Sequence, residues 1–200
     1  MKTVIEVGAN EGQHTEGFIE NYDRVFCFEP IPQHYANLVR KYGHLENFYG
    51  IAAAIDIDNG WKTFHLSEYR DWGCSSLHQF KPDIHEHWSR EDFNFTRNIQ
   101  HMMCMRLDWF MNYYGIDEVD YLHIDAQGND LNVLKSLGNR IYSIKRGVCE
   151  AAGNVSLYDV DNTKETVAAW FDHFGKLFTL DIQDDGADGN EVNIYFERNY

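Results

Sequence analysis

The chain has 200 residues, enough for one domain with a real core and helices on both faces of a sheet. Seventeen basic residues stand against 32 acidic ones, a formal net charge of −15, and the basic residues are scattered along the chain. Such a surface repels nucleic acid and anionic membranes, so neither is expected as a partner. No stretch approaches the roughly 20 apolar residues of a membrane span. The segment Met1 to Gly8 lacks the apolar run of a signal peptide, and Cys27, Cys74, Cys104 and Cys149 are too widely spaced for a disulfide frame or zinc site. The expected compartment is therefore cytoplasmic, with reduced thiols.

Strands and helices alternate. Val4 to Val7 is a short apolar run ending at Gly8 and reads as a buried strand. A helix over His14 to Tyr22 turns Phe18, Ile19 and Tyr22 inward, and Val25 to Phe28 is a second strand stopped by Glu29-Pro30. Pro32 opens the next helix, Tyr35, Leu38, Val39 and Tyr42 recur at helical spacing, and Gly43 closes it. Gly50 to Ile55 reads as a third strand, with Thr63 to Leu66 pairing beyond the Asp58-Asn59-Gly60 turn. Residues 69–103 show little periodicity and read as an irregular insertion or lid. A helix around Leu107 to Tyr114, a strand Tyr121 to Ile124, a helix capped by Asn129 or Asp130, and a strand Ile144 to Cys149 follow. Asn162 with Glu165 reads as a capping pair for a further helix. Leu177 to Ile182 and Val192 to Phe196 are joined by a short Asp/Gly-rich turn and must be antiparallel. The expectation is a single α/β domain over residues 1–200, with a mostly parallel seven-stranded sheet, an antiparallel C-terminal hairpin and helices on both faces.

The first strand–turn–helix is the informative one. Gly8-Ala9-Asn10-Glu11-Gly12 lets the backbone approach a ligand at a helix N-terminus, and Glu29, 21 residues past Gly8, ends the second strand where nucleotide-binding sheets place an acceptor for ribose hydroxyls. The loop lacks the Gly-x-Gly-x-x-Gly spacing of pyrophosphate binders. Glu6 inside the strand opposes a phosphate but suits a cation such as the amino group of methionine. The cofactor expected is S-adenosylmethionine, ahead of a nicotinamide.

Val4 to Gly12, Phe28-Glu29-Pro30, Cys74-Ser75-Ser76-Leu77, Arg106-Leu107-Asp108 and Ile124-Asp125-Ala126-Gln127-Gly128, in that order, resemble the landmarks of the FkbM methyltransferases. The resemblance implies a Rossmann-like class I methyltransferase fold. It also implies O-methylation of a hydroxyl on a sugar, glycan or small natural product, with Glu6, Gly8, Ala9, Asn10, Gly12, Glu29, Pro30, Ala53 and Asp125 at the cofactor. Where this chain has Glu6 and Gln127, the family usually has Asp and Glu. The N-terminal helices that often cover the cofactor in related enzymes are absent, which implies a site left open or completed by a homo-oligomeric partner or a partner domain.

The chemistry needs a group that removes a hydroxyl proton near the methyl carbon. Asp125 and Glu150 end the fourth and fifth strands, and His123 shares the face of Asp125. The reading is His123 or Asp125 as base, with Glu150 assisting. Its bland counterpart for His123 is a core histidine. Asp125 and Glu150 also suit a divalent cation (Mg or Mn) with Gln127 or Asn154 as third ligand. His85-Glu86-His87 reads as a solvated loop and Ser75 and Ser76 as loop residues or ligand contacts. Trp72, Trp88, Phe93 and Phe95 are aromatic candidates for stacking on an acceptor. The competing class is a non-catalytic Rossmann-like module that binds a nucleotide or partner.

Overall fold

The computed structural model describes residues 1–67, 72–87, 95–184 and 190–199. Among the described residues ten strands and six α-helices follow one another. They are β1 (Thr3–Val7), α1 (Thr15–Asn21), β2 (Arg24–Phe28), α2 (Pro32–Tyr42), β3 (Phe48–Ile51), β4 (Ala54–Ile55), β5 (Gly60–Ser67), α3 (Ile84–His87), β6 (Phe95–Met105), α4 (Leu107–Tyr113), β7 (Tyr121–Ile124), α5 (Asp130–Ser136), β8 (Arg146–Ala152), α6 (Lys164–Asp172), β9 (Phe178–Asp184) and β10 (Glu191–Arg198). The main sheet has the order β3-β2-β1-β7-β8-β10-β9. Its first five strands pair in parallel, and β10 slots antiparallel between β8 and β9.

The alternation of the strands sorts their side chains. Val4, Val25 and Cys27 turn to the face covered by α1 and α2, where Leu38, Tyr42 and Phe48 complete a small core. Ile5, Val7, Phe26, Phe28, Leu122 and Ile124 turn to the opposite face and meet the apolar stripes of α4, α5 and α6. All five residues of β1 are buried, as expected of a strand enclosed from both sides.

Two expectations are corrected. The single strand read over Gly50 to Ile55 is broken at Ala52-Ala53: β3 stays in the main sheet, while β4 joins a second sheet of order β4-β6-β5. The segment 69–103 is not irregular to its end, because β6 starts at Phe95 and pairs antiparallel with β5. Phe64, Leu66 and Met102 of that ribbon pack with Ile31, and Trp72 and Leu77 close on them. The cap of α6 also differs. Thr163, not Asn162, forms a reciprocal box with Thr166. Asn162 instead accepts the Leu131 N–H and donates to the Glu150 carbonyl, tying α5 to β8.

Gly147 shows how tightly β8 is held. A Cβ there would stand 2.3 Å from the Leu122 carbonyl oxygen and 2.5 Å from the Phe196 ring. Gly147→Ala is expected to cost about 1–3 kcal/mol through overpacking. Urea unfolding should show a lower midpoint with an unchanged slope.

Candidate active site

Strand order reverses between β1 and β7, and the cleft of a doubly wound sheet opens outside the carboxyl ends at such a point. Here the turn after β1 is clamped. The N–H groups of Gly8 and Ala9 both donate to the Phe28 carbonyl at 3.0 Å, and the Asp125 N–H donates to Val7. Gly8 has φ 83°, and a Cβ at this position would lie 1.9 Å from the Asp125 carbonyl oxygen, so only glycine fits. Asn10 takes φ 48°, a region asparagine tolerates. Its N–H donates to Glu29 Oε2 at 2.8 Å, and its Oδ1 is buried with no hydrogen-bond partner among the described residues.

A narrow cleft results beside this turn. Gly8, Asn10, Glu29, Pro30, Ala53 and Asp125 line it. Ala9 and Gly12 do not; they lie behind the loop, where a Cβ on Gly12 would meet Leu38 at 2.8 Å. Glu6 does not line it either. Its Oε2 accepts from Thr15 Oγ1 at 2.7 Å and from Cys27 Sγ at 3.1 Å, beneath the turn. The expected direct contact of Glu6 with a cationic ligand is therefore corrected. Burial between β1 and α1 makes it a support for the loop whose charge is still felt in the cleft.

Sequence reasoning missed the apolar half of this cleft. Ile31, Ile55, Phe64 and Leu77 line it with Trp72, which meets the His34 ring edge-on at 5.5 Å. Phe64 and Leu77 come from the ribbon and the segment after it, which carry no local signal of approaching the β1 turn.

Gln127 has a definite task. Its Nε2 donates to Asp125 Oδ1 at 2.6 Å and its Oε1 accepts from the Tyr158 hydroxyl at 2.8 Å. Ser76 Oγ donates to the Gln127 carbonyl, and Ser75 Oγ accepts the Ser67 N–H. Ser76 thus pins the wall to the loop after β7, and Ser75 ties it to the end of β5. Because both ends of the Gln127 amide are engaged, it is a poor third ligand for a cation. Among the described residues no group of three His, Cys, Asp or Glu side chains is arranged to hold a metal ion. The side chains of His85, His87 and Phe95, together with Trp88 and Phe93, lie outside what is described.

His123, Asp125 and Glu150 do come together, along a second and wider trough that shares Asp125 with the cleft. His123 packs against His14 and Phe18 at ring separations of 4.5 and 5.8 Å. Burial, aided by His14, pushes its pKa down to about 4. It is neutral at pH 7 and a weak base, which favours the packed-histidine reading.

The carboxylates behave oppositely. Burial raises Glu6 and Glu29 from an ordinary 4.5 to about 7, with the charge of Asp125 adding to both. Asp130, fully buried and bonded to the Glu150 N–H, rises to about 7 for the same reasons. Acidic groups crowded and desolvated around one turn suit a cationic ligand.

This sheet, with its last strand inserted antiparallel between the two before it, is that of the class I Rossmann-like methyltransferases. Similar solved structures include a putative methyltransferase from Streptococcus mutans in complex with SAH (TM-score 0.57, 10% identity, 100% of this chain and 89% of that one). An rRNA methylase from Streptococcus thermophilus is also similar (TM-score 0.55, 12% identity, 100% and 87%). Residues 6–176 match the family model "Methyltransferase FkbM domain", and the chain belongs to that family. A curated relative, the 2-O-methyltransferase NoeI of Sinorhizobium fredii, is 27% identical over 139 residues, covering 66% of this chain and 55% of its own length. The chain thus spans about half the length of this relative.

Folded Glu6, Glu29 and Asp130 keep their protons to higher pH than the unfolded chain does. Stability is therefore expected to be greatest below the unfolded values and to fall as pH rises toward about 7, then to level off. Thermal melts across this range should show a shallower decline for Glu6→Gln and for Glu29→Gln.

Proposed function

We propose that this chain transfers a methyl group from S-adenosylmethionine to a hydroxyl oxygen of a sugar, glycan or small natural product. The observation that carries the reading is the convergence of Gly8, Asn10, Glu29 and Asp125 on one half-apolar, acid-rimmed cleft at the point of strand reversal. Family membership supports the methyl-transfer part, and the similarity to the 2-O-methyltransferase NoeI favours oxygen as the acceptor atom.

The residues fit the cofactor. Each Glu29 oxygen already accepts one backbone N–H, from Asn10 or Ile31, and keeps a lone pair for a ribose hydroxyl. Asn10 Oδ1 is a buried acceptor with no donor among the described residues, and Ile31, Ala53, Phe64 and Leu77 form an apolar slot for an adenine ring. The acidic surroundings suit the cofactor's ammonium and sulfonium charges. When bound, S-adenosylmethionine supplies the electrophilic methyl carbon.

The remaining work falls to the chain. Asp125, oriented at Oδ1 by Gln127, accepts the proton of the acceptor hydroxyl. Glu150 lies on the neighbouring strand, its backbone N–H held by Asp130 Oδ1 at 3.0 Å, and its carboxylate orients the acceptor. His123 and His14 shape the wall beside them. No step in this scheme calls on a divalent cation.

Calorimetry with S-adenosylhomocysteine tests the cofactor reading, and no binding at millimolar ligand by folded protein would defeat it. In a transfer assay from labelled S-adenosylmethionine to a panel of glycosides, Asp125→Asn is expected to lower kcat by about 10²–10⁴-fold. Affinity for S-adenosylhomocysteine should be retained. Gln127→Glu places a second carboxylate against Asp125 in place of an N–H donor. The acid limb of its pH–rate profile should move to higher pH, because two adjacent carboxylates resist ionising together.

A further inference from the structure

The Tyr158 hydroxyl sits between two acceptors. It stands 2.8 Å from Gln127 Oε1 and 3.0 Å from the Cys74 carbonyl oxygen. A hydroxyl carries one proton, so it serves one of the two at a time. The oxygen itself is held in place. The ring is buried, fills the space a Gly128 Cβ would need, which would lie 2.5 Å from Tyr158 Cδ2, and packs on Phe80 at 5.6 Å. The Tyr158 carbonyl accepts from Ser156 Oγ at 2.8 Å. Burial holds the phenol well above its ordinary range, so it keeps its proton.

Gln127 is fixed at its backbone, with φ 50° and its carbonyl bonded to Ser76 Oγ at 2.6 Å. Its terminal amide keeps one freedom. A half-turn about the last side-chain bond exchanges nitrogen and oxygen with almost no change of shape. Two hydrogen-bond arrangements follow. In the first, Tyr158 donates to Gln127 Oε1, and Nε2 donates to Asp125 Oδ1 at 2.6 Å. Asp125 is then a carboxylate, and the Cys74 carbonyl goes without the phenol proton. In the second the amide is reversed. Tyr158 donates to Cys74 and accepts from Nε2, and the amide oxygen faces Asp125 Oδ1. Two oxygens that close need a proton between them, so Asp125 carries it. The first arrangement holds two bonds and the second three.

We propose that Tyr158 and Gln127 form a two-state switch that gives Asp125 a hydrogen bond both as a carboxylate and as an acid, with Tyr158 the positioning residue. The inference rests on the methyltransferase reading above, in which Asp125 is the base. As the acceptor oxygen bonds the methyl carbon, the carbon–sulfur bond breaks with its electron pair on sulfur, and the hydroxyl proton passes to Asp125. Rotation of the carboxyl group brings that proton to Oδ1. The amide reverses, and Tyr158 turns its own proton from Gln127 to Cys74. After the product leaves, the proton passes to solvent and the amide returns. The charges of Glu6, Glu29 and Asp130 act on Asp125, and His14, His123, Glu150 and Arg146 share its trough. They set where it titrates, while the switch sets how that point responds to Tyr158.

The count of bonds gives the sign. Tyr158→Phe removes one bond from the first arrangement and two from the second, so Asp125 holds its proton less firmly. The test follows the Asp125 carboxyl carbon and the Cys74 carbonyl carbon by NMR in the full chain as pH is varied. The Cys74 carbon should shift with the Asp125 midpoint, and Asp125→Asn should abolish that shift. In Tyr158→Phe the Asp125 midpoint should fall by about half to one pH unit, and the acid limb of the pH–rate profile should fall with it. Gln127→Met should silence Cys74, and adding Tyr158→Phe to it should leave the midpoint where Gln127→Met puts it. A Cys74 carbon that ignores Asp125, or a midpoint that rises or stays in Tyr158→Phe, would overturn the switch. Should Tyr158→Phe not fold, the wild-type and Gln127→Met traces decide the same point. A switch seen by NMR with an unmoved acid limb would overturn its part in the reaction. Failure to bind S-adenosylhomocysteine would instead strike the methyltransferase reading, which the titrations of the free chain do not depend on.

Discussion

The contact between the β1 turn and the backbone after β7 governs the site. β1 and β7 are neighbours at the reversal of strand order, and the turn leaving β1 must clear the chain leaving β7. With the Asp125 carbonyl oxygen 1.9 Å from where a Gly8 Cβ would be, the clearance admits a hydrogen and nothing larger. The same turn is bonded to the Phe28 carbonyl on its other side. Three parallel strands thus end in one rigid rim, and the groups they carry, Asn10, Glu29 and Asp125, inherit their positions from it.

That rim gathers acidity at a cost to the free protein. Glu6 and Glu29 are almost wholly buried, and desolvation works against their ionisation. A binding site that stores such tension is stabilised by its own cationic ligand, a common form of the trade between stability and function. Gln127 moderates the crowding. As a neutral amide it donates to Asp125 where a carboxylate would repel it, and through Tyr158 it links the loop to Cys74 in the opposite wall.

The two halves of the sheet are built to different rules. β1 and β2 are sandwiched between helices and largely apolar on both faces. β10 buries Val192, Ile194 and Phe196 on one face and presents Asn193, Tyr195 and Glu197 on the other. Antiparallel strands with one solvated face are stable in this form.

Local pattern was sufficient for much of this. The strands of the main sheet, the helix stripes, the glycine turn after β1 and the carboxylate at Glu29 depend on residues within a few positions of one another, and periodicity with turn chemistry reports those directly. The direction of Glu6, the suppressed basicity of His123, the exchange of capping roles between Asn162 and Thr163, and the apolar wall from Phe64 and Leu77 were decided only in three dimensions. Each depends on a partner elsewhere in the chain: Thr15 and Cys27 for Glu6, His14 for His123, Leu131 and Glu150 for Asn162. A side chain's burial and hydrogen-bond partners are set by packing between elements, and residue order along the chain carries no direct record of which elements will meet.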